Sequence, residues 1–549
     1  MSDVPKGAVP QRPPHGTPHN PPHFARPPLH PPAHPARPSH ASVQPQPWAP
    51  PPPPPPPQWI IDSRVKAPSA VHPAVLWIAL LTGLLAAVLL RDGIGVNLLL
   101  TALPAALAAG VAAVVRGRRP RPWTLVWAAT ALGLLLVPAL RDAGWPAFLA
   151  VLGFFVVGSL ALHGGRRWPG VLLGGLGVWA SVVPGLGWAL RGLRERTARN
   201  RRRWLPMAKA VVVAVVLLLV FGALFAGADA AFADLLGDFV PDMTLGDFPV
   251  RVLLFALGVL GALAAAYTAA APRRFDRVKV KPGRARGRAE WALPLVVLAV
   301  LFAVFNAVQL TVLFGGYQKV LAETGLTYAQ YARQGFWQLL IVTLLTIGVI
   351  GLALRWAPRG TDRDRLLVRS VLGAICVLTL VVVASALRRM ELYVGAYGLT
   401  RMRISVAGIE LWLGLLIVLI MAAGVFGARW LPRAVVASAA VGFLAFGLAG
   451  PDALIADQQV TRYENTGRID LAYLQDLSAD AVPALDRLPE PQRSCALELM
   501  AHDLRGGGDP WFATSLGESR ARSVLAARPA DAYDACSRAR LAQYRIELR

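Results

Sequence analysis

Between Asn306 and Glu410 the chain reads NAVQLTVLFGGYQKV (306–320), TYAQYARQGFWQLL (327–340) and ELYVGAYGLTRMRISVAGIE (391–410), with polar and aromatic residues beside or inside runs of nearly pure hydrocarbon. The apolar runs decide the fold, and the polar residues say where to look for a site. Asn306 and Gln309 lie inside one run, Arg333 and Gln338 border the next, and Arg401, Arg403 and Glu410 lead into a third. A polar group at membrane depth is expensive, so these side chains are expected to face the protein interior or a cavity.

Working outward, similar runs recur at about 74–90, 98–115, 123–140, 146–162, 170–190, 207–228, 250–271, 291–314, 336–354, 366–387, 404–427 and 434–449. Each is near the length needed to cross a hydrocarbon core of roughly 30 Å. No strand-like alternation competes with a helical reading. A mean hydropathy of +0.47 and 55% hydrophobic residues lie far above soluble usage. The fold class is therefore all-α, a polytopic transmembrane bundle over 73–449.

Charge sets the expected topology. The excess of 56 Lys+Arg over 32 Asp+Glu would suggest nucleic acid in a soluble chain. Here the basic residues cluster in short loops between apolar runs, and no recognition fold is visible, so the expected partner is the lipid bilayer and not nucleic acid. Loop 191–203 carries seven Arg, 273–288 carries eight basic residues and 355–369 carries five Arg, and all three should be cytoplasmic. Between the first two, Asp229, Asp234, Asp238, Asp242 and Asp247 occur without Lys or Arg, which suits the opposite face. The count then places 316–335, 388–403 and everything after Gly450 outside, with 428–433 inside.

RGRRPR (116–121) and loop 191–203 both ask for the cytoplasm, although three apolar runs separate them. The weakest of the three is 170–190, whose glycines and Pro184 favour a re-entrant or broken segment. Eleven full spans result, or twelve if one arginine-rich loop is misplaced by the rule.

Residues 1–72 are dominated by Pro, including Pro51–Pro57, and are punctuated by His15, His19, His23, His30, His34 and His40. Such a segment cannot bury enough apolar surface to offset its conformational entropy and is expected to be a disordered cytoplasmic tail. A docking strip for a Pro-binding partner and a weak metal-buffering tract are the sharper alternatives. No apolar segment near Met1 resembles a cleaved signal.

Residues 450–549 read as a separate, small soluble helical domain, with fifteen acidic residues against twelve Arg and no Lys after Gly450. One helix should start at Pro491, and Asp509-Pro510 resembles the start of another. If this unit is extracytoplasmic, Cys495 and Cys536 can form a disulfide whose loop of about forty residues is worth on the order of 3–4 kcal/mol. Otherwise they are two buried thiols. Cys376, inside an apolar run, reads as a buried small residue.

QLTVLFGG (309–316), TYAQYARQGFWQL (327–339), LYVGAYGLTRMR (392–403) and DLAYLQDLSADAVPAL (470–485) occur in this order. Together they resemble the bacterial multi-pass membrane proteins of domain-of-unknown-function family 4173, related to family 4153. The resemblance spans roughly 290–490. It implies a plasma-membrane bundle and brings no catalytic residue with it.

The candidate polar site comprises Asn306, Gln309, Arg333, Gln338, Tyr393, Tyr397, Arg401, Arg403 and Glu410. Arg403, Ala407 and Glu410 share a helix face, since seven residues are two turns. Glu410 is thus either a proton or cation site or the partner of Arg403 or Arg401. Asn306 and Gln309, i and i+3, suit hydrogen bonds between helices. Arg388, Arg389, Arg401 and Arg403 in an expected outer loop call for compensating carboxylates, an anionic lipid or another envelope component. Tyr393 and Tyr397 suit an aromatic belt or the wall of such a pocket.

The chain has no G-x-S-x-G, Walker A or H-E-x-x-H motif, no Cys/His metal spacing and no cofactor fingerprint. The leading expectation is a non-enzymatic envelope scaffold or sensor. The alternatives are a transporter or lipid-handling protein and a membrane-embedded transferase on a lipid-linked substrate. Transport or transfer requires the polar groups to line one cavity, whereas a scaffold requires them to pair off.

Overall fold

The computed structural model describes residues 71–91, 93–196, 248–278, 283–314, 328–358, 360–506, 510–530 and 534–547, with a few single positions besides. The proline-histidine tail, most of the 207–228 run, the acidic stretch 229–247 and the 315–327 loop lie outside the described residues.

Among the described residues the chain is helical throughout its regular elements. Nine helices are long and apolar enough to cross a membrane: Val96–Val114, Pro122–Leu140, Gly144–His163, Phe248–Ala270, Arg288–Leu310, Phe336–Trp356, Asp362–Tyr397, Arg401–Phe426 and Leu431–Ala449. Pro73–Leu89 is equally apolar at 17 residues. Their outward faces carry exposed large side chains such as Leu301, Leu345 and Leu411, while Ile350, Ile375 and Ile417 are fully buried between helices. Such a surface suits hydrocarbon. Where helices approach most closely, small residues meet: a Cβ on Gly258 would lie 2.9 Å from the Cα of Gly83, so Pro73–Leu89 and Phe248–Ala270 touch backbone to backbone.

Hydrogen bonds between loops sort the bundle into two ends. Arg118 donates to Ala269 O (3.2 Å), and the Arg166 and Arg167 N–H groups donate to Asp276. Arg433 donates to Gly165 O (2.9 Å), and Arg288 pairs with Asp364 (2.5 Å). Arg196 donates to Val71 O. The described parts of the basic loops therefore share one end of the bundle. The C-terminal helices sit at the other, where Asn97 N–H donates to Phe512 O (2.9 Å) and Asp142 accepts from Ala479 N–H (2.9 Å).

The glycine-rich segment is broken. Trp168–Gly175 and Trp179–Arg196 meet at 67°. Ser159, on the neighbouring helix, fills the break: its hydroxyl donates to Gly174 O (2.5 Å) and accepts from Val178 N–H (3.0 Å). Backbone groups freed at membrane depth are thus paired inside protein, the condition under which a break there is tolerated. Trp188 packs with Val71, Ala112 and Ala270, and Arg196 returns to Val71, so the segment starts and ends at the basic end. Arg118 and Arg196 can then share one end without a third full crossing.

After Gly450 the helices Pro451–Thr466, Leu471–Gln475, Val482–Leu485, Gln492–Arg505, Leu516–Ala527 and Ala535–Glu547 surround one core built on Ile455, Leu474, Leu485 and Leu497. Cys495 and Cys536 are bonded to each other. Gln492–Arg505 is capped at Pro491. The next helix does not start at Pro510. The chain turns there, with Ala513 N–H donating to Pro510 O (2.8 Å), and Ser515 caps the helix by accepting from Glu518 N–H (3.0 Å). A serine hydroxyl that reaches the third N–H outweighs the proline signal.

Candidate functional site

The sequence-selected polar residues divide into two groups that do not meet. The deeper group sits in the sub-bundle formed by Arg288–Phe314, Tyr328–Trp356, Asp362–Tyr397 and Arg401–Phe426. Glu410 is fully buried, and its Oε1 lies 3.1 Å from Thr343 Oγ1, which also reaches Leu339 O at 3.0 Å. Its Oε2 accepts no hydrogen bond from the described residues. The expected pairing of Glu410 with Arg403 or Arg401 does not form. Both arginines start the helix and turn toward its N-terminal end, away from the span interior where Glu410 points.

Asn306 donates to Leu378 O (2.9 Å) on the neighbouring helix, and its Oδ1 has no donor among the described residues. Gln309 Oε1 accepts from Arg389 Nη2 (2.9 Å). Gln338 is exposed on its helix, so it joins neither group. The side chain of Arg333 lies outside the described residues.

The second group forms a connected junction between the bundle and the C-terminal helices. Arg401, the first residue of its helix, reaches Asp452 through two parallel bonds, Nε to Oδ1 at 2.9 Å and Nη2 to Oδ2 at 2.5 Å. Asp452 is fully buried and also accepts from Ser478 N–H (2.9 Å) and Trp145 Nε1 (3.3 Å). Burial pushes the Asp452 carboxyl up, but the Arg401 and Ser478 hydrogen bonds outweigh it and hold it below the usual carboxylate range. This is a two-pronged charge-assisted contact with every carboxylate oxygen engaged. The Arg401 N–H donates to the Tyr473 hydroxyl (2.7 Å), and burial raises the pKa of that phenol.

Two loops clasp each other beside this pair. Asp480 Oδ2 accepts from the N–H groups of Asp142 (2.9 Å) and Ala143 (3.3 Å), while Asp142 accepts from Ala479 N–H. Gln458 and Gln459 bracket Leu399, one accepting from its N–H (2.9 Å) and the other donating to its carbonyl (3.0 Å). Arg403 stacks on Tyr393, 4.2 Å from the ring centroid, with Tyr397 5.9 Å away, and donates to Gly398 O. Arg388 pairs with Glu391 (2.6 Å). The loop arginines are thus met by carboxylates, rings and carbonyls of this chain.

Asp452, Trp145, Thr343 and Asp142 are absent from the sequence-level site. Asp452 had a visible signal, since it is the first charged residue after the last apolar run and follows Gly450-Pro451. Trp145 and Thr343 had none, because each is one of many such residues. Among the described residues no group of three or more His, Cys, Asp or Glu could hold a metal ion.

An all-helical bundle of this hydropathy defines a multi-pass membrane protein. The family model for the domain of unknown function DUF4153 matches residues 128–488, well over half of the chain, and the chain belongs to that family. The match is to family 4153 and not to family 4173, which the motifs resemble. No curated protein and no solved structure matches the chain.

Proposed function

We propose that this chain is a non-enzymatic component of a bacterial inner membrane, a scaffold or sensor whose C-terminal helices are coupled mechanically to the bundle. The carrying observation is the Arg401–Asp452 clasp, in which a buried carboxylate on the C-terminal side is held by a guanidinium at the first residue of a span. The transporter and transferase readings need the intramembrane polar groups around one cavity. Glu410, Asn306 and Gln309 instead engage separate neighbours.

The orientation we propose has the basic end cytoplasmic and the C-terminal helices outside. The positive-inside rule supports it, because the basic loops gather at one end. The Cys495–Cys536 bond at the opposite end is in keeping with an oxidising compartment.

Complementation of a deletion strain tests the reading. Asp452→Asn should lose complementation at normal protein abundance, whereas Glu410→Gln and Asn306→Ala should complement fully. The reverse pattern would establish the intramembrane groups as the working site and overturn the coupling.

A further inference from the structure

Beside the Arg401–Asp452 clasp lies an open groove of about 710 Å³ whose lining includes neither of those two residues. One side is made where two spans end, by Leu140, Arg141 and Leu448, and the other by the C-terminal helices, with Leu454, Arg487, Leu516 and Arg520. Leu140, Leu454 and Leu516 are all more than a third exposed and share the groove with three guanidinium groups.

The charge in the groove is not balanced. Arg487 is matched by Asp457 at 2.7 Å. Arg141 spends Nε and Nη2 on Leu448 O (3.0 and 2.7 Å) and makes no ion pair among the described residues. Arg520 makes no ion pair among the described residues. The remaining acid, Asp480, is 6% exposed, and its Oδ1 has no hydrogen-bond partner among the described residues. Burial pushes its carboxyl up despite the two N–H groups on Oδ2, and this one acid faces two arginines that make no ion pair of their own among the described residues.

Position supplies the second half of the argument. Spans Pro122–Leu140 and Leu431–Ala449 both end at the groove, so it sits at the level where acyl chains give way to headgroups. A molecule found at that level with an anionic oxygen cluster above and hydrocarbon below is a phospholipid. Guanidinium groups recognise phosphate through two N–H donors at once.

We propose that this groove seats the phosphate of an anionic phospholipid between Arg141 and Arg520, with its acyl chains against Leu140 and Leu454. The site is independent of the coupling reading, because neither arginine touches Arg401 or Asp452.

Native mass spectrometry of the full-length protein, released from bilayers of equal phosphatidylglycerol and phosphatidylcholine, provides the test. The wild type should retain phosphatidylglycerol preferentially. Arg520→Gln, at an exposed position, should cut that retention about five-fold, the effect of one arginine at an anionic surface. Arg141→Gln combined with Arg520→Gln should abolish the preference, while Arg505→Gln, an exposed arginine outside the groove, should leave it unchanged. Equal retention of the two lipids, retention of neither, or an unaltered preference in Arg520→Gln overturns the proposal. Displacement of the lipid by millimolar inorganic phosphate would overturn it too, by assigning the groove to a free anion.

Discussion

Glu410 and Asp452 are both carboxylic acids with no exposed surface, yet their surroundings differ in kind. Asp452, at the edge of the bundle, receives four hydrogen bonds from three donor residues on three different segments. Glu410, inside a span, has one hydroxyl neighbour and an oxygen with none among the described residues. The contrast teaches that depth alone does not make a polar group part of a site. At the edge, loops from several elements converge and can supply N–H groups, whereas within a span every backbone N–H is already committed to its own helix.

Removal of Arg401 is the sharpest way to break this comparison. Arg401→Ala leaves Asp452 charged, buried and short of its two strongest donors. Such an orphaned charge costs 3–5 kcal/mol when fully buried; with Arg401 about a third exposed, water offsets part of this, and a loss of about 3 kcal/mol is expected. Thermal unfolding of the purified protein in detergent measures it, and a loss below about 1 kcal/mol would mean that the clasp is a surface contact.

A smaller effect is expected at the neighbouring loop clasp. A Cβ at Gly517 would collide with Asp480 Oδ1, and that carboxylate cannot swing aside without giving up the Asp142 and Ala143 N–H groups. Gly517→Ala should therefore cost about 1–3 kcal/mol, as overpacking does. In the Asp480→Ala background the same change should become nearly neutral, which a double-mutant cycle reads directly.

These two predictions also mark what the sequence made legible. The bundle was readable because hydropathy along twelve runs needs no partner to interpret, and the break within 170–190 was readable because Gly174 and Gly175, where Trp168–Gly175 ends, weaken a helix; Pro184 lies in the first turn after the break, where proline is tolerated. The partners of Glu410 and Arg401 were not. Helical spacing orders residues on one face of one helix, and it put Arg403 and Glu410 together. Which neighbour that face meets depends on packing: Glu410 meets Thr343, and Arg401 meets Asp452, 51 residues later.

Acid separates the carboxyls at the junction further. Asp452 has its folded pKa below the unfolded value, so its stabilisation is present above the unfolded pKa and is lost as pH falls through the folded one. Asp480 has the opposite sign: its folded pKa is raised, so its contribution is present below the unfolded pKa and is lost as pH rises through the folded value. Asp452→Asn should flatten the acid limb of the stability profile, and Asp480→Asn should flatten the loss on the alkaline side of the carboxylate range. Identical profiles for both variants would show that the two acids titrate as one group.

Glu410→Gln is expected to have the smallest effect. The amide keeps an oxygen acceptor for the Thr343 hydroxyl and nearly the same volume, so no cavity opens in the sub-bundle. It also removes an ionisable group from a place where no described cation compensates it, and burial of an unpaired charge is what a span tolerates least. A change within about 1 kcal/mol is therefore expected, comparable to a single neutral hydrogen bond. A loss as large as that of Arg401→Ala would mean that the Glu410 carboxyl has a partner of its own in the membrane, and the contrast between edge and interior would fail at its deeper member.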